Sequence, residues 1–153
     1  MTKASNSRAR TAIAAAVSTL AAVSIAEFDS KTLSESGVEC KLIHPRTGLP
    51  SGAAVVVHGL DSERFRTAIA EQARKINDLR AEAAGAEVDD EAKKAFGLSL
   101  LASCTSGFVN LADENGEPLQ YSHAAAVDFY ARSPSAREQV DVFLMNRANF
   151  LKA

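Results

Sequence analysis

The chain of 153 residues contains no tryptophan, two methionines and two cysteines. Cys40 and Cys104 lie far apart and outside any C-x-x-C pair, so no disulfide framework or four-cysteine zinc site can be assembled from them. They read as two buried free thiols of a reducing cytosol. Charge of one sign is also scarce: the net charge is −2, which argues against nucleic-acid binding by bulk electrostatics. The sequence has no G-x-S-x-G, no phosphate-cradling glycine loop and no paired-carboxylate signature. His44, His58 and His123 are not spaced from one another, from cysteine or from acids as metal ligands usually are. Asp113 to Pro118 superficially resembles a calcium loop but lacks the twelve-residue ligand pattern. No internal repeat is present. Catalytic residues, a metal site and a cofactor are therefore not expected.

What remains is ordinary globular material. Apolar residues make up 46% and charged residues 24%, enough for one domain with a real core. The first 26 residues differ from the rest. They hold Lys3, Arg8 and Arg10 and no acid, against a chain total of −2, so the remainder carries −5. Thr11 to Ala26 is alanine-rich, with Ile13, Val17 and Leu20 on one helical face; it is too short and too rich in Ser and Thr to span a bilayer. It is read as an arm or loosely attached helix over 1–26, ahead of a single globular domain over 27–153. A basic start, a mild apolar run and Ser24-x-Ala26 also fit a secretory signal, the alternative reading of this segment.

Within the domain, alternation in Val38 to Ile43 predicts a strand, with Val38, Cys40 and Leu42 on one side and Glu39 and Lys41 on the other. Ala53 to His58 predicts a second, rich in β-branched residues. The turn formers of His44 to Gly52 join them into a wide-looped hairpin. A lone hairpin is marginal in water, so it must pack on helices or pair at an edge, and a free edge could bind a partner by strand addition.

Helices are predicted at about 61–84, 89–105, 122–132 and 134–151. Asp61 or Ser62 caps the first, whose apolar face carries Phe65, Ile69, Ile76, Leu79 and Ala83. The second lies in Phe96 to Leu111, the most continuously apolar run past the N-terminus, around which the other elements are expected to pack. Its helix is read as ending at Gly107, with Phe108, Val109 and Leu111 beyond the cap. Ser122 caps the third, and Ser133-Pro134 opens the last, with a stripe of Ala136, Val140, Phe143, Leu144 and Leu151. The expected fold class is α+β, mostly α: one β-hairpin or small antiparallel sheet, at about 38–59, packed with a bundle of four to five helices.

Two blocks carry a resemblance. The first is Gly37 to Gly52, GVECKLIHPRTGLPSG, followed by Val56 to Phe65, VVHGLDSERF. The second is Leu101 to Phe108, LASCTSGF, then Gly116-Glu-Pro-Leu, Ser133-Pro-Ser-Ala-Arg-Glu-Gln-Val140 and Asn146-Arg-Ala-Asn-Phe150. In this order they resemble the tail assembly chaperone-like proteins of long-tailed, siphovirus-type bacteriophages, over roughly Glu27 to Leu151. The family usually has a tryptophan just after the central helix's glycine; Phe108 stands there in this chain.

The resemblance implies a non-enzymatic protein of virion morphogenesis, acting in the host bacterial cytoplasm. It would bind the tail tube protein, the tape measure protein or both, and leave the finished particle. Neither nucleic acid nor a membrane is an implied partner, and self-association stays open. Some members also have a longer, frameshifted form. The alternative is a structural head–tail or tail component retained in the virion. A thiol enzyme using Cys104 with a histidine is disfavoured, because Cys104 lies in an apolar stripe. Candidate partner contacts are His44, Arg46 and Leu49 in the hairpin loop, Phe108 beside the central helix and Phe150 near the C-terminus. Ordinary packing is the competing role for the two phenylalanines.

Overall fold

A computed structural model describes residues 21–85 and 87–152. Strand β1 (Val38–Ile43) buries Cys40 and Leu42 and turns Glu39 and Lys41 to solvent, as the alternation requires. Strand β2 (Pro50–Val57) pairs antiparallel with it, Cys40 opposite Val55 and Val38 opposite Val57. The second strand begins three residues before the predicted Ala53, because Pro50 pairs with Ile43 across a register shift.

A third strand, β3 (Thr105–Val109), was not foreseen, and it corrects the helix expected to run to Gly107. Helix α3 (Asp90–Cys104) stops at Cys104, and Thr105 already has extended backbone at φ −89, ψ 141. No turn separates the two elements, so the apolar run changes period from helix to strand without punctuation. The pairing supplies the far edge of β2 with a partner, Phe108 facing Val55 and Gly107 facing Val56. Ser106 is the extra residue between the pairs Val56–Gly107 and Val57–Thr105, a bulge that bends the strand entry. The sheet order is β1-β2-β3, all antiparallel.

The chain enters the sheet through a 3-10 turn (Ile25–Phe28) and a short helix α1 (Lys31–Ser36), neither predicted. Gly37 joins α1 to β1 at φ +84; a Cβ there would lie 3.0 Å from Val56 Cγ1 and 3.2 Å from His58 Nε2, so glycine is required twice over. Of the predicted arm, only residues from Ala21 onward are described, and Ala21 to Phe28 are exposed. The predicted stripe of Ile13, Val17 and Leu20 lies outside the described residues.

Helix α2 (Glu63–Glu82) is capped by Ser62, whose Oγ accepts from Phe65 N at 3.1 Å and donates to Gly59 O at 2.7 Å. Asp61 is committed elsewhere, to Ser30 and Arg147. The face of α2 turned to the body is rotated from the predicted stripe. Ala68 and Gln72 are buried, while Ile69 and Leu79 stay 44% and 38% exposed. The reason lies across the interface, where α3 presents small polar residues. Gln72 Nε2 donates to Ser99 Oγ at 3.2 Å, and Arg64 Nη1 donates to the Ser103 carbonyl at 3.2 Å.

Helix α3 is capped by Asp89, which accepts from Ala92 N at 2.7 Å. Helix α4 (His123–Arg132) is capped by Ser122 in the same way, at 3.0 Å from Ala125 N. Helix α5 (Pro134–Met145) has proline in its first turn, but the Ser133 side chain makes no capping bond. It ends six residues before the predicted Leu151. Asn146 breaks it and caps a 3-10 turn (Arg147–Phe150), accepting from Ala148 N at 3.1 Å, while Asn149 Nδ2 ties back to the Phe143 carbonyl at 2.9 Å.

The helices α3, α4 and α5 share one core with the sheet, an α+β arrangement that is mostly α. Tyr130 sits at its centre, fully buried among Cys40, Val57, Leu101, Cys104 and Val140. Among the described residues no helix is long and apolar enough to cross a membrane.

Candidate functional site

The two thiols are part of that core. Cys104 is fully enclosed and burial pushes its pKa up to about 12, with Arg64 opposing; burial likewise pushes Cys40 up to about 11. Neither is a thiolate at neutral pH, and a nucleophile needs the thiolate. Among the described residues no group of three or more His, Cys, Asp or Glu could hold a metal ion. In the loop that resembled a calcium site, Asp113 spends Oδ1 on the backbone N–H groups of Asn115 and Glu117, at 2.8 and 3.0 Å.

The histidines serve separate local structures. His44 Nδ1 accepts from Arg46 N at 3.2 Å inside the hairpin loop. His123 lies 3.5 Å from Ser99 Oγ at the start of α4. His58 Nε2 lies 2.9 Å from Ser106 Oγ, so it ties the end of β2 to the bulge of β3. Burial, then Arg64, holds its imidazole below the ordinary pKa, while bonds to the backbone of Glu35 and Ser34 pull the other way.

Each edge of the sheet is tied by a side chain at one residue. At the end of β1, the Gln139 amide imitates a neighbouring strand: its Oε1 accepts from Ile43 N at 2.7 Å and its Nε2 donates to Ile43 O at 3.1 Å. At β3, Tyr121 OH donates to the Thr105 carbonyl at 2.6 Å, and its ring meets Phe108 edge-on at 5.7 Å. A side chain holding the backbone groups of an edge strand is a common defence against stray pairing. This turns attention from strand addition to grooves.

One groove stands out. Beside the hairpin base, a hollow of about 400 Å³ is floored by Leu42, Ala53, Pro134 and Ala136, with His44 and Arg132 its titratable neighbours. Across Leu111, Phe129, Arg132 and Ser133, which line both, it continues into a second hollow of about 510 Å³ bounded by Leu119, Ala125, Asp113, Glu114 and Asp128. Its walls come from β1, β2, the 111–119 loop and the α4–α5 junction. The loop wall is itself braced: Ala112 bridges Pro118, and Leu119 N donates to Leu111 O at 2.8 Å. An Asn115-Gly116 pair suggests a tight hairpin turn centred on those two residues, but only Gly116 takes positive φ, at +82; it closes a turn that starts at Asp113, donating its N–H to the Asp113 carbonyl at 3.1 Å. Arg132 pairs with Glu114 of the 111–119 loop and, at 3.5 Å, with Asp128 one turn back on its own helix.

The residues predicted from sequence distribute unevenly around this feature. His44 lines it, and Arg46 and Leu49 share its hairpin loop, closed by His44 N donating to Leu49 O at 2.8 Å. Leu49 is 64% exposed. Phe108 is half-buried one ring behind the floor, 5.8 Å from Phe129. Phe150 is a correction: it is 1% exposed, edge-on to Phe143 at 5.7 Å, so its ring is core and offers no surface to a partner. Leu111, Phe129 and Arg132 were not singled out beforehand. No local pattern marks them, because the groove exists only once four distant segments meet.

Comparison with protein-family models, with curated proteins and with solved structures yields no match for this chain.

Proposed function

We propose that the chain is a non-catalytic binding protein of the tail assembly chaperone kind, which holds a phage tail tube or tape measure protein before assembly. The observation that carries this reading is the groove. It comprises two adjoining hollows of about 400 and 510 Å³ that share Leu111, Phe129, Arg132 and Ser133, the first mostly apolar and the second mixed in lining, open to solvent and bordered by the hairpin loop. Clefts of this size suit the side chains of one bound segment. One further feature supports it: both thiols are buried in the core and withheld from chemistry. A protein that must bind aggregation-prone apolar segments, and release them, needs exposed apolar surface of this type. The host cytoplasm is the compartment this role implies.

The experiment is co-expression of the full chain with the tube and tape measure proteins of its own locus. The expected result is a complex with one of them that keeps the client in solution. If both clients stay equally soluble without the chain, and neither co-purifies with it, the proposal fails.

A further inference from the structure

The groove carries its own charge pattern, and this specifies what it accepts. Three carboxylates, Asp113, Glu114 and Asp128, line the end bounded by the 111–119 loop, and among the described residues Arg132 is the one cation lining that half. Three against one leaves two negative charges over an apolar floor. All the charged partners here are solvent-exposed: Asp128 and Glu114 keep 67% and 75% of their side-chain surface. The opposite end, at the hairpin base, has no acid in its lining. Another exposed apolar side chain, Val142 on α5, lines a trough that holds both Lys41 and Glu138 and so has no comparable charge asymmetry.

We infer that the groove binds a segment of a partner protein whose apolar side chains are followed by lysine or arginine. The apolar side chains lie over Leu111 and Phe129. The basic end meets Asp113, Glu114 and Asp128, displacing part of the hold that Arg132 has on Glu114. This rests on the binding-protein reading above and adds to it the chemistry of the client segment. Charge complementarity at an exposed rim acts mostly on encounter rate and choice of partner, so the preference is salt-dependent.

The test uses the full chain and two synthetic peptides. Both carry the same leucines; one has lysines at one end and the other has glutamates there. Affinity is read by fluorescence anisotropy at low and high salt, and the bound surface by amide shifts in nitrogen-15-labelled protein. The lysine peptide is expected to bind about tenfold tighter at low salt, a difference that shrinks as salt rises. Shifts are expected in 42–45, 111–119 and 125–136. In the double variant Glu114→Lys and Asp128→Lys, whose sites are exposed and outside the core, the preference should reverse to the glutamate peptide.

Equal affinity for the two peptides, an unchanged preference in the double variant, or shifts confined to β3 and Tyr121 or to Val142 and Met145 would overturn the assignment. These outcomes are separable from failure of the proposed function. A tail protein that binds the chain at another surface sinks only the groove assignment. Peptides that bind as described while no tail protein does sink only the chaperone reading.

Discussion

Thr105 and Tyr130 form the polar joint at the centre of an otherwise apolar core, and the geometry fixes which proton goes where. Thr105 Oγ1 donates its single proton to the Leu101 carbonyl at 3.0 Å, so Tyr130 OH must be the donor in the 2.6 Å contact between the two hydroxyls. Both residues are fully buried, and burial raises the phenol pKa well above its usual range. Replacing Tyr130 by Phe removes a donor and leaves Thr105 still bonded to Leu101, at an expected cost of about 0.5–1.5 kcal/mol. Replacing Thr105 by Val keeps the shape but strands the Tyr130 hydroxyl with no partner and no water, at about 1–3 kcal/mol. With both replaced, no orphan remains, and the double variant should be more stable than Thr105→Val alone. Urea denaturation of the four proteins, with equal m-values, gives the cycle. Additive losses, or a double variant less stable than either single one, would refute the assignment of donor and acceptor.

Other consequences follow from single positions. Gly97 is exposed in mid-α3 with nothing within 4 Å of an added Cβ, so Gly97→Ala should stabilise the fold by about 0.5–1 kcal/mol in the same assay. Gly59→Ala should do the opposite, because its Cβ would overlap Ser34 Oγ and lie 3.0 Å from Phe150 Cδ1. A maleimide probe at pH 7 should leave both cysteines of the folded protein unmodified and label them on unfolding; rapid labelling of native Cys104 would contradict its burial. Bonds from Arg147 and Ser30 hold the Asp61 carboxyl below the ordinary aspartate range, so its contribution to stability is present above the unfolded pKa and is lost as pH falls through the lower, folded pKa. Arg147→Gln should therefore lower Tm at neutral pH and converge with the parent protein in strong acid, whereas a gap that widens on acidification would overturn this sign.

The hairpin was legible because its alternation is local: Cys40 and Leu42 bury, Glu39 and Lys41 do not, and the turn residues sit between. The caps at Ser62 and Ser122 were legible for the same reason, since each is one side chain bonding its own helix. Strand β3 was not, because Cys104 to Thr105 changes period with no glycine or proline at the boundary, and only the free edge of β2 makes Thr105–Val109 extended. The orientation of α2 was misjudged because burial of Gln72 over Ile69 depends on Ser99 in another helix. The binding site was half legible. The loop of His44, Arg46 and Leu49 announces itself by its turn residues, but Leu111, Phe129 and Arg132 become one surface only after folding.

The most direct test of the central claim is a mass-spectrometric inventory of phage-producing cells and of purified particles, taken with the chain tagged at its own locus. The account predicts the chain in complex with a tail protein before tails form, and its absence from finished particles. Recovery of the chain from particles in fixed proportion to the tail proteins would contradict it.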